Sequence, residues 1–253
     1  MRPIIVRNVK IGEGKPKICI PIVGSTREAI LAEAHSLLSL PVDVVEWRAD
    51  WYEDVFYPEK ILDTARELRH ILGEIPLLFT FRTAKEGGEK AIDDETYLAL
   101  NKTMIGSGFI DLVDVEIFTG DTLVASLIEE AHRCDIAVVA SNHDFHKTPS
   151  EEEITKRLIK MKDMGADIPK IAVMPTCKKD VLTLLAATIF MEEHYPDTPV
   201  ITMSMAGTGV VSRLIGEFSG SALTFGAAKK VSAPGQIPAQ DLVQVLDIIH
   251  QNS

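Results

Sequence analysis

The chain has 253 residues, a formal net charge of -11, and three scattered cysteines, Cys19, Cys134 and Cys177. That length supports a large α/β domain with a substantial core, while the acidic balance disfavours nucleic-acid binding and the lone cysteines argue against a disulfide framework or a zinc cage. The N-terminal M-R-P-I-I-V-R-N-V-K offers no apolar stretch long enough for a signal peptide or a membrane span, so a soluble, cytoplasmic protein is expected.

The first sixteen residues, containing I-I-V-R-N-V-K-I-G-E-G, read as a small hairpin. Eight short apolar runs rich in β-branched residues follow, spaced by roughly 25 to 33 residues: 17–24, 42–50, 76–84, 110–118, 135–143, 168–175, 199–206 and 221–228. Helical stretches fill the gaps. The clearest begins after Pro149, with Ser150 and Glu153 at capping-box spacing. Ile154, Leu158 and Met161 form its apolar stripe, and Gly165 ends it.

Eight strand–helix units in about 250 residues predict an α/β protein, a (β/α)8 TIM barrel spanning 1–253, with the hairpin closing its bottom. A doubly wound Rossmann sheet is the rival. The first strand leads into V-G-S-T-R, not G-x-G-x-x-G, so the dinucleotide fingerprint is missing.

Side chains alternate along a strand, so residues two apart share a face. In each run one face is consistently apolar: Val45, Trp47 and Ala49; Leu77, Phe79 and Phe81; Val113, Val115 and Ile117. That face should meet the helices. The opposite face then points Glu46, Arg48, Arg82, Asp114, Glu116, His143 and Lys170 into the barrel. Internal salt bridges are the structural reading. Buried ion pairs seldom improve on apolar packing, so this many together favours a functional one. Most lie toward the C-terminal strand ends, where barrel active sites form.

Lys170 stands in D-I-P-K-I-A-V-M-P, near the start of its strand. It is either a strand-edge lysine snorkelling to solvent or a Schiff-base nucleophile. Burial beside Arg48 and Arg82 would free its amine, and small Ala172 leaves room for it to rise along the barrel axis. His143, in A-S-N-H-D-F-H, suits general acid–base work. H-D-F-H is also open to a metal reading with Asp114 and Glu116. Glu86, in T-A-K-E-G-G-E, either orients a histidine or is solvated. The glycines of M-S-M-A-G-T-G, with Arg213 after them, resemble an anion site built from backbone N–H groups. The last loop, V-S-A-P-G-Q-I-P, reads as a lid or a turn.

E-W-R at 46–48, F-T-F-R at 79–82, K-E-G-G at 85–88, S-N-H-D-F at 141–145, P-K-I-A-V-M at 169–174, I-T-M-S-M at 201–205 and S-A-P-G-Q at 232–236 together resemble type I 3-dehydroquinate dehydratases. The resemblance implies a barrel, commonly a homodimer, that dehydrates 3-dehydroquinate in the shikimate pathway with no metal or organic cofactor. It implies an imine on Lys170, His143 as acid and base, and Glu86 beside it. Glu46, Arg48 and Arg82 would bind the hydroxyl side of the substrate, and Arg213, Ser232 and Gln236 its carboxylate end. One departure is Ala206-Gly207-Thr208, where the resemblance to many members would imply a lysine after M-S-M. A class I aldolase, a metal-dependent isomerase or hydrolase, and a catalytically dead binding protein are the competing readings.

Overall fold

The computed structural model describes residues 2–228 and 235–253. Strands β1 (Ile4–Val6) and β2 (Val9–Ile11) come first. Then follow β3 (Lys17–Ile22), α1 (Arg27–Leu37), β4 (Val44–Arg48), α2 (Pro58–Leu72), β5 (Leu77–Thr80), α3 (Asp94–Ile105), β6 (Leu112–Glu116) and α4 (Asp121–Arg133). The second half contains β7 (Ala137–Asp144), α5 (Glu151–Asp163), β8 (Ile168–Val173), α6 (Lys178–His194), β9 (Ile201–Ser204), α7 (Val211–Leu214), α8 (Gly216–Ser219), β10 (Leu223–Ala227), β11 (Ile237–Pro238) and α9 (Ala239–His250).

Strands β3 to β9 lie side by side in chain order, all parallel, and β10 pairs with β3. The ring closes through a parallel bridge between Val200 and Ser221, where Ala222 N donates to Val200 O at 2.8 Å. This is the expected eight-stranded barrel; seven of its strands fall inside the apolar runs, and β7 extends one residue past the fifth, to Asp144. No helix among the described residues is long and apolar enough to cross a membrane.

Local chemistry marks the helix ends. Thr26, Asp93 and Ser150 cap α1, α3 and α5 by accepting from the N–H groups of Ala29, Thr96 and Glu153. Gly165 ends α5 at φ +96°, a conformation that suits glycine. The carboxylate of Glu153 turns toward Arg157 at 2.8 Å.

Two apolar layers follow the alternation. Outward residues such as Trp47, Phe79, Val113, Ala140 and Ile171 pack among the helices. Inward residues Val44, Leu78, Leu112, Val139, Ile168 and Leu223 form a second cluster, joined by Val6 and Ile11 of the hairpin. The hairpin therefore plugs the N-terminal end of the barrel. Asp111 ties it down: its carboxylate accepts from Arg7 and Arg69, both at 2.6 Å, and from Leu77 N at 2.8 Å.

Above the plug the inward face changes character. Leu78 gives way to Thr80 and Arg82, Leu112 to Asp114 and Glu116, Val139 to Ser141 and His143. The same strands thus build an apolar floor and a polar mouth.

Ile11 is fully buried in the plug. Ile11→Ala should lower stability by about 2–4 kcal/mol and leave kcat/KM of the folded enzyme within about two-fold of wild type. Urea unfolding with parallel assays checks this. A loss well below that range would mean that the hairpin unfolds apart from the barrel.

Candidate active site

One cavity of about 190 Å³ opens at the C-terminal mouth of the barrel, a space of small-molecule size. Glu46, Arg48, Arg82, Glu86, His143, Lys170, Arg213 and Gln236 all line it. Of the residues singled out from sequence, Ser232 lies outside the described residues.

Lys170 is buried, so the snorkelling alternative does not hold. Its Nζ lies 3.1 Å from Asp114 Oδ2, 3.7 Å from Glu46 Oε1 and 4.6 Å above the ring of Phe225. The closest charges to the amine are therefore carboxylates, not the arginines invoked from sequence. Lys170 pairs in register with Ser141, whereas His143 pairs with Ala172. The lysine stands one inward step below the histidine. Ala172, directly above it, presents only a methyl group to the cavity.

Arg82 is the hub. Nη2 reaches Asp114 at 2.8 Å. Nη1 reaches Glu116 at 3.0 Å, Ser141 Oγ at 2.9 Å and, more distantly, Glu86 at 3.7 Å. Burial works against its charge, but Asp114 and Glu116 hold the guanidinium well above its ordinary range. Burial likewise opposes ionisation of Asp114, yet Arg82, Lys170 and the Ser141 hydroxyl keep its carboxyl below the usual range. Glu116 accepts from the N–H and the hydroxyl of Thr83 at 2.8 and 2.7 Å. Arg48 forms a two-pronged pair with Asp50 at 2.7 and 2.8 Å, and Glu46 accepts from Thr80 Oγ1 at 2.9 Å.

Glu86 ends a short 3-10 turn, Ala84–Glu86, and is buried, so it is not a solvated loop acid. Its Oε2 lies 2.9 Å from His143 Nδ1 and accepts the His143 backbone N–H at 2.9 Å. Burial, against the pull of Arg82, raises Glu86 to about 7. Burial, with Arg82, Lys170 and Arg48 nearby, holds His143 well below the usual imidazole range. The imidazole is neutral at pH 7. With its Nδ1 proton directed to Glu86, Nε2 keeps a lone pair and can act as a base.

Both glycines of K-E-G-G have a steric reason. A Cβ on Gly87, where φ is +83°, would come 2.3 Å from the Phe145 ring, and one on Gly88 would come 1.9 Å from Arg82 O. The turn that delivers Glu86 to His143 has no room for side chains there.

In the glycine loop after β9, two N–H groups are turned inward on the loop. Gly209 N donates to Ala206 O and Val210 N to Gly207 O, so these N–H groups serve the turn itself. Ser204 N is taken by Ser212 Oγ at 2.9 Å. From this segment Met203, Met205 and Arg213 line the cavity. Arg213 is buried, its backbone carbonyl accepting from Thr224 Oγ1 at 2.9 Å. Burial lowers its guanidinium to about 10, still cationic at neutral pH. Ala206 holds φ +57°, ψ -178°, a region that favours glycine.

Some of the site was not singled out from sequence. Phe145, Met203, Met205 and Phe225 supply apolar walls. Met203 and Met205 have the inward parity, which was a usable signal. His146, part of the metal reading, is exposed, and Asp114 and Glu116 are already bound to cations.

Fold and cavity together define a (β/α)8 barrel whose C-terminal mouth holds a buried amine and an imidazole in one cavity. The pattern of the family described as Type I 3-dehydroquinase matches residues 18–253. The chain belongs to this type I 3-dehydroquinase family, hydro-lyases of the shikimate pathway. A 3-dehydroquinate dehydratase of Clostridium botulinum (strain Eklund 17B / Type B) is 55% identical over 251 residues, covering 99% of each chain. One of Listeria welshimeri is 57% identical over 251 residues, again covering 99% of each. The solved type I 3-dehydroquinate dehydratase of Clostridium difficile has a TM-score of 0.97 and 51% identity, covering 100% of this chain and 99% of its own. The solved 3-dehydroquinate dehydratase of Enterococcus faecalis has a TM-score of 0.92 and 47% identity, covering 97% of this chain and 99% of its own.

The space above Lys170 depends on Ala172. Ala172→Leu should fill it and cut turnover by about 10²-fold or more, as misplacement of a reacting group does. Steady-state assays on protein with a wild-type circular dichroism spectrum check this. Undiminished turnover would show that the lysine does not use that route.

Proposed function

We propose that the chain dehydrates 3-dehydroquinate to 3-dehydroshikimate through an imine between Lys170 and the substrate ketone. One observation carries this reading: the buried Lys170 amine shares a small cavity with a neutral His143 held by Glu86. The Clostridium difficile relative, solved with covalently modified comenic acid, supports covalent capture in a site of this kind.

The Lys170 amine attacks the C3 carbonyl and water leaves, giving a protonated imine. His143 Nε2 removes a proton from C2, and the electron pair moves toward the imine nitrogen as an enamine. The imidazolium returns that proton to the C1 hydroxyl, which departs as water while the C1–C2 double bond forms. Hydrolysis then frees the product and regenerates the amine. A plain ketone leaves the C2 proton too weakly acidic for an imidazole, and the iminium acts as the electron sink. Acid–base work by the one histidine contributes about 10²–10⁴-fold. Asp114 and Glu46 lie beside the nitrogen that carries the iminium charge.

Glu46, Arg48 and Arg82 bind the hydroxyl side of the ring. Arg213, Ser232 and Gln236 hold the carboxylate, for which a buried guanidinium is suited. The chemistry needs no further cofactor, since amine and imidazole supply every step. The residues 1–253 act as one catalytic barrel, and the family resemblance supports a homodimer in the cytoplasm. A class I aldolase shares the lysine, but the family match favours dehydration.

Borohydride reduction with 3-dehydroquinate present, followed by peptide mass mapping, should find a stable adduct on Lys170. An adduct elsewhere, or none, would sink the imine. Lys170→Ala should lose capture and nearly all turnover. His143→Ala should keep capture and lose about 10²–10⁴-fold in kcat.

A further inference from the structure

We infer that Asn142 and Arg157 are positioning residues: Arg157 fixes the orientation of the Asn142 amide, and that amide holds the Glu86 carboxylate against His143. The inference rests on the assignment of His143 and Glu86 to acid–base work.

Asn142 is unusual for its place in β7. It shares parity with Val138 and Ala140, which pack among the helices, yet it is a buried amide. Its Nδ2 donates to Glu86 Oε1 at 3.1 Å, and its Oδ1 accepts from Arg157 Nη1 of α5 at 3.0 Å. Glu86 thus bridges two consecutive residues. One oxygen takes the Asn142 amide, and the other takes the backbone N–H of His143 and faces its Nδ1.

Arginine only donates and an ionised carboxylate only accepts, whereas the amide has one end of each kind. A single amide orientation therefore serves both neighbours. Turned over, it would set donor against donor at Arg157 and acceptor against acceptor at Glu86. Arg157 is itself held by Glu153 Oε1 at 2.8 Å and lies 5.6 Å over the Phe118 ring. The chain from the helix surface to the imidazole is directional, and it favours ionised Glu86.

Other charges face the pair from several strands. Arg82 lies 3.7 Å from Glu86 and favours its ionisation, while Glu116 and Asp114 of β6 oppose it. Lys170 of β8, with Arg82 and Arg48 of β4, acts on His143. Burial sets Glu86 at about 7, and Arg82 and Asn142 are what draw it downward. Removing the Asn142 donor raises it further. An acidic limb that requires ionised Glu86 must then move to higher pH.

The test compares pH profiles of kcat and kcat/KM for Asn142→Ala, Arg157→Met, Arg157→Lys and His143→Ala, with 3-dehydroquinate as substrate and a thermal melt for each variant. Asn142→Ala should shift the acidic limb upward by about one pH unit, the scale of one charge-assisted hydrogen bond, and keep borohydride capture on Lys170. Arg157→Met should shift it the same way by less. Arg157→Lys, which retains a donor, should lie between Arg157→Met and wild type. A wild-type limb in Asn142→Ala, with turnover merely scaled, overturns the inference. Should that variant fail to fold, an unmoved limb in Arg157→Met does so instead. Wild-type turnover in His143→Ala would remove the underlying acid–base assignment, which keeps the two failures distinct.

Discussion

The barrel mouth is organised by one guanidinium that cannot reach bulk water. Arg82 is buried among Asp114, Glu116 and Glu86, and a buried cation persists only if paired and hydrogen-bonded. Its two best contacts go to Asp114 and Glu116, which are also tied to Ser141, Lys170 and Thr83. Through these shared acids, Arg82 sets where the Lys170 amine stands. Its backbone carbonyl also packs against Gly88, in the turn that carries Glu86. Few of these groups can move without uncovering another charge.

Among the described residues, every fully buried charged side chain belongs to this assembly: Glu46, Asp50, Glu86, Asp114 and Glu116 against Arg48, Arg82, Lys170 and Arg213. Acids outnumber bases, five to four. Asp50 has the two-pronged Arg48, Asp114 has Arg82 and Lys170, and Glu116 has Arg82 and Thr83. Glu46 and Glu86 each have a cation only at 3.7 Å, Lys170 for the first and Arg82 for the second. Burial, against the pull of Arg82, raises Glu86 to about 7. That acid is the one beside the histidine. A cluster of this density is poor for stability, and the apolar floor and hairpin plug beneath it supply the compensating burial.

Parity was legible in the sequence because strand alternation is a local property. It places Lys170, His143, Glu46 and Arg82 inside the barrel, and the sequence motifs carry the family. Which inward residues meet was not legible. That depends on the stagger between strands, which pairs Ser141 with both Glu116 and Lys170 and so brings Asp114 within reach of the amine. Arg48 was legible as inward, but its clamp on Asp50 depends on a turn just past the strand. In the glycine loop, glycines signal freedom of backbone, not direction of N–H groups. Here Gly209 is needed because a Cβ would come 2.2 Å from Ser204 O. Asn142 offered a signal, a polar residue with outward parity, but its partner Arg157 is a helix away.

The same stagger bears on the chemistry. In the proposed mechanism the iminium carries its positive charge on the nitrogen of Lys170, where an ammonium would carry it. Asp114 and Glu46 therefore face the place where that charge develops once the amine has attacked. A preorganised environment helps most when its dipoles and charges need not rearrange as the barrier is crossed. The same proposal assigns proton movement to a different place, the pair of His143 and Glu86, where Arg82 stands 3.7 Å from the carboxylate. The covalent intermediate and the travelling proton thus belong, in that proposal, to separate parts of the cluster. Separating the two lets the barrel bury so much charge and still contain one group poised near neutrality.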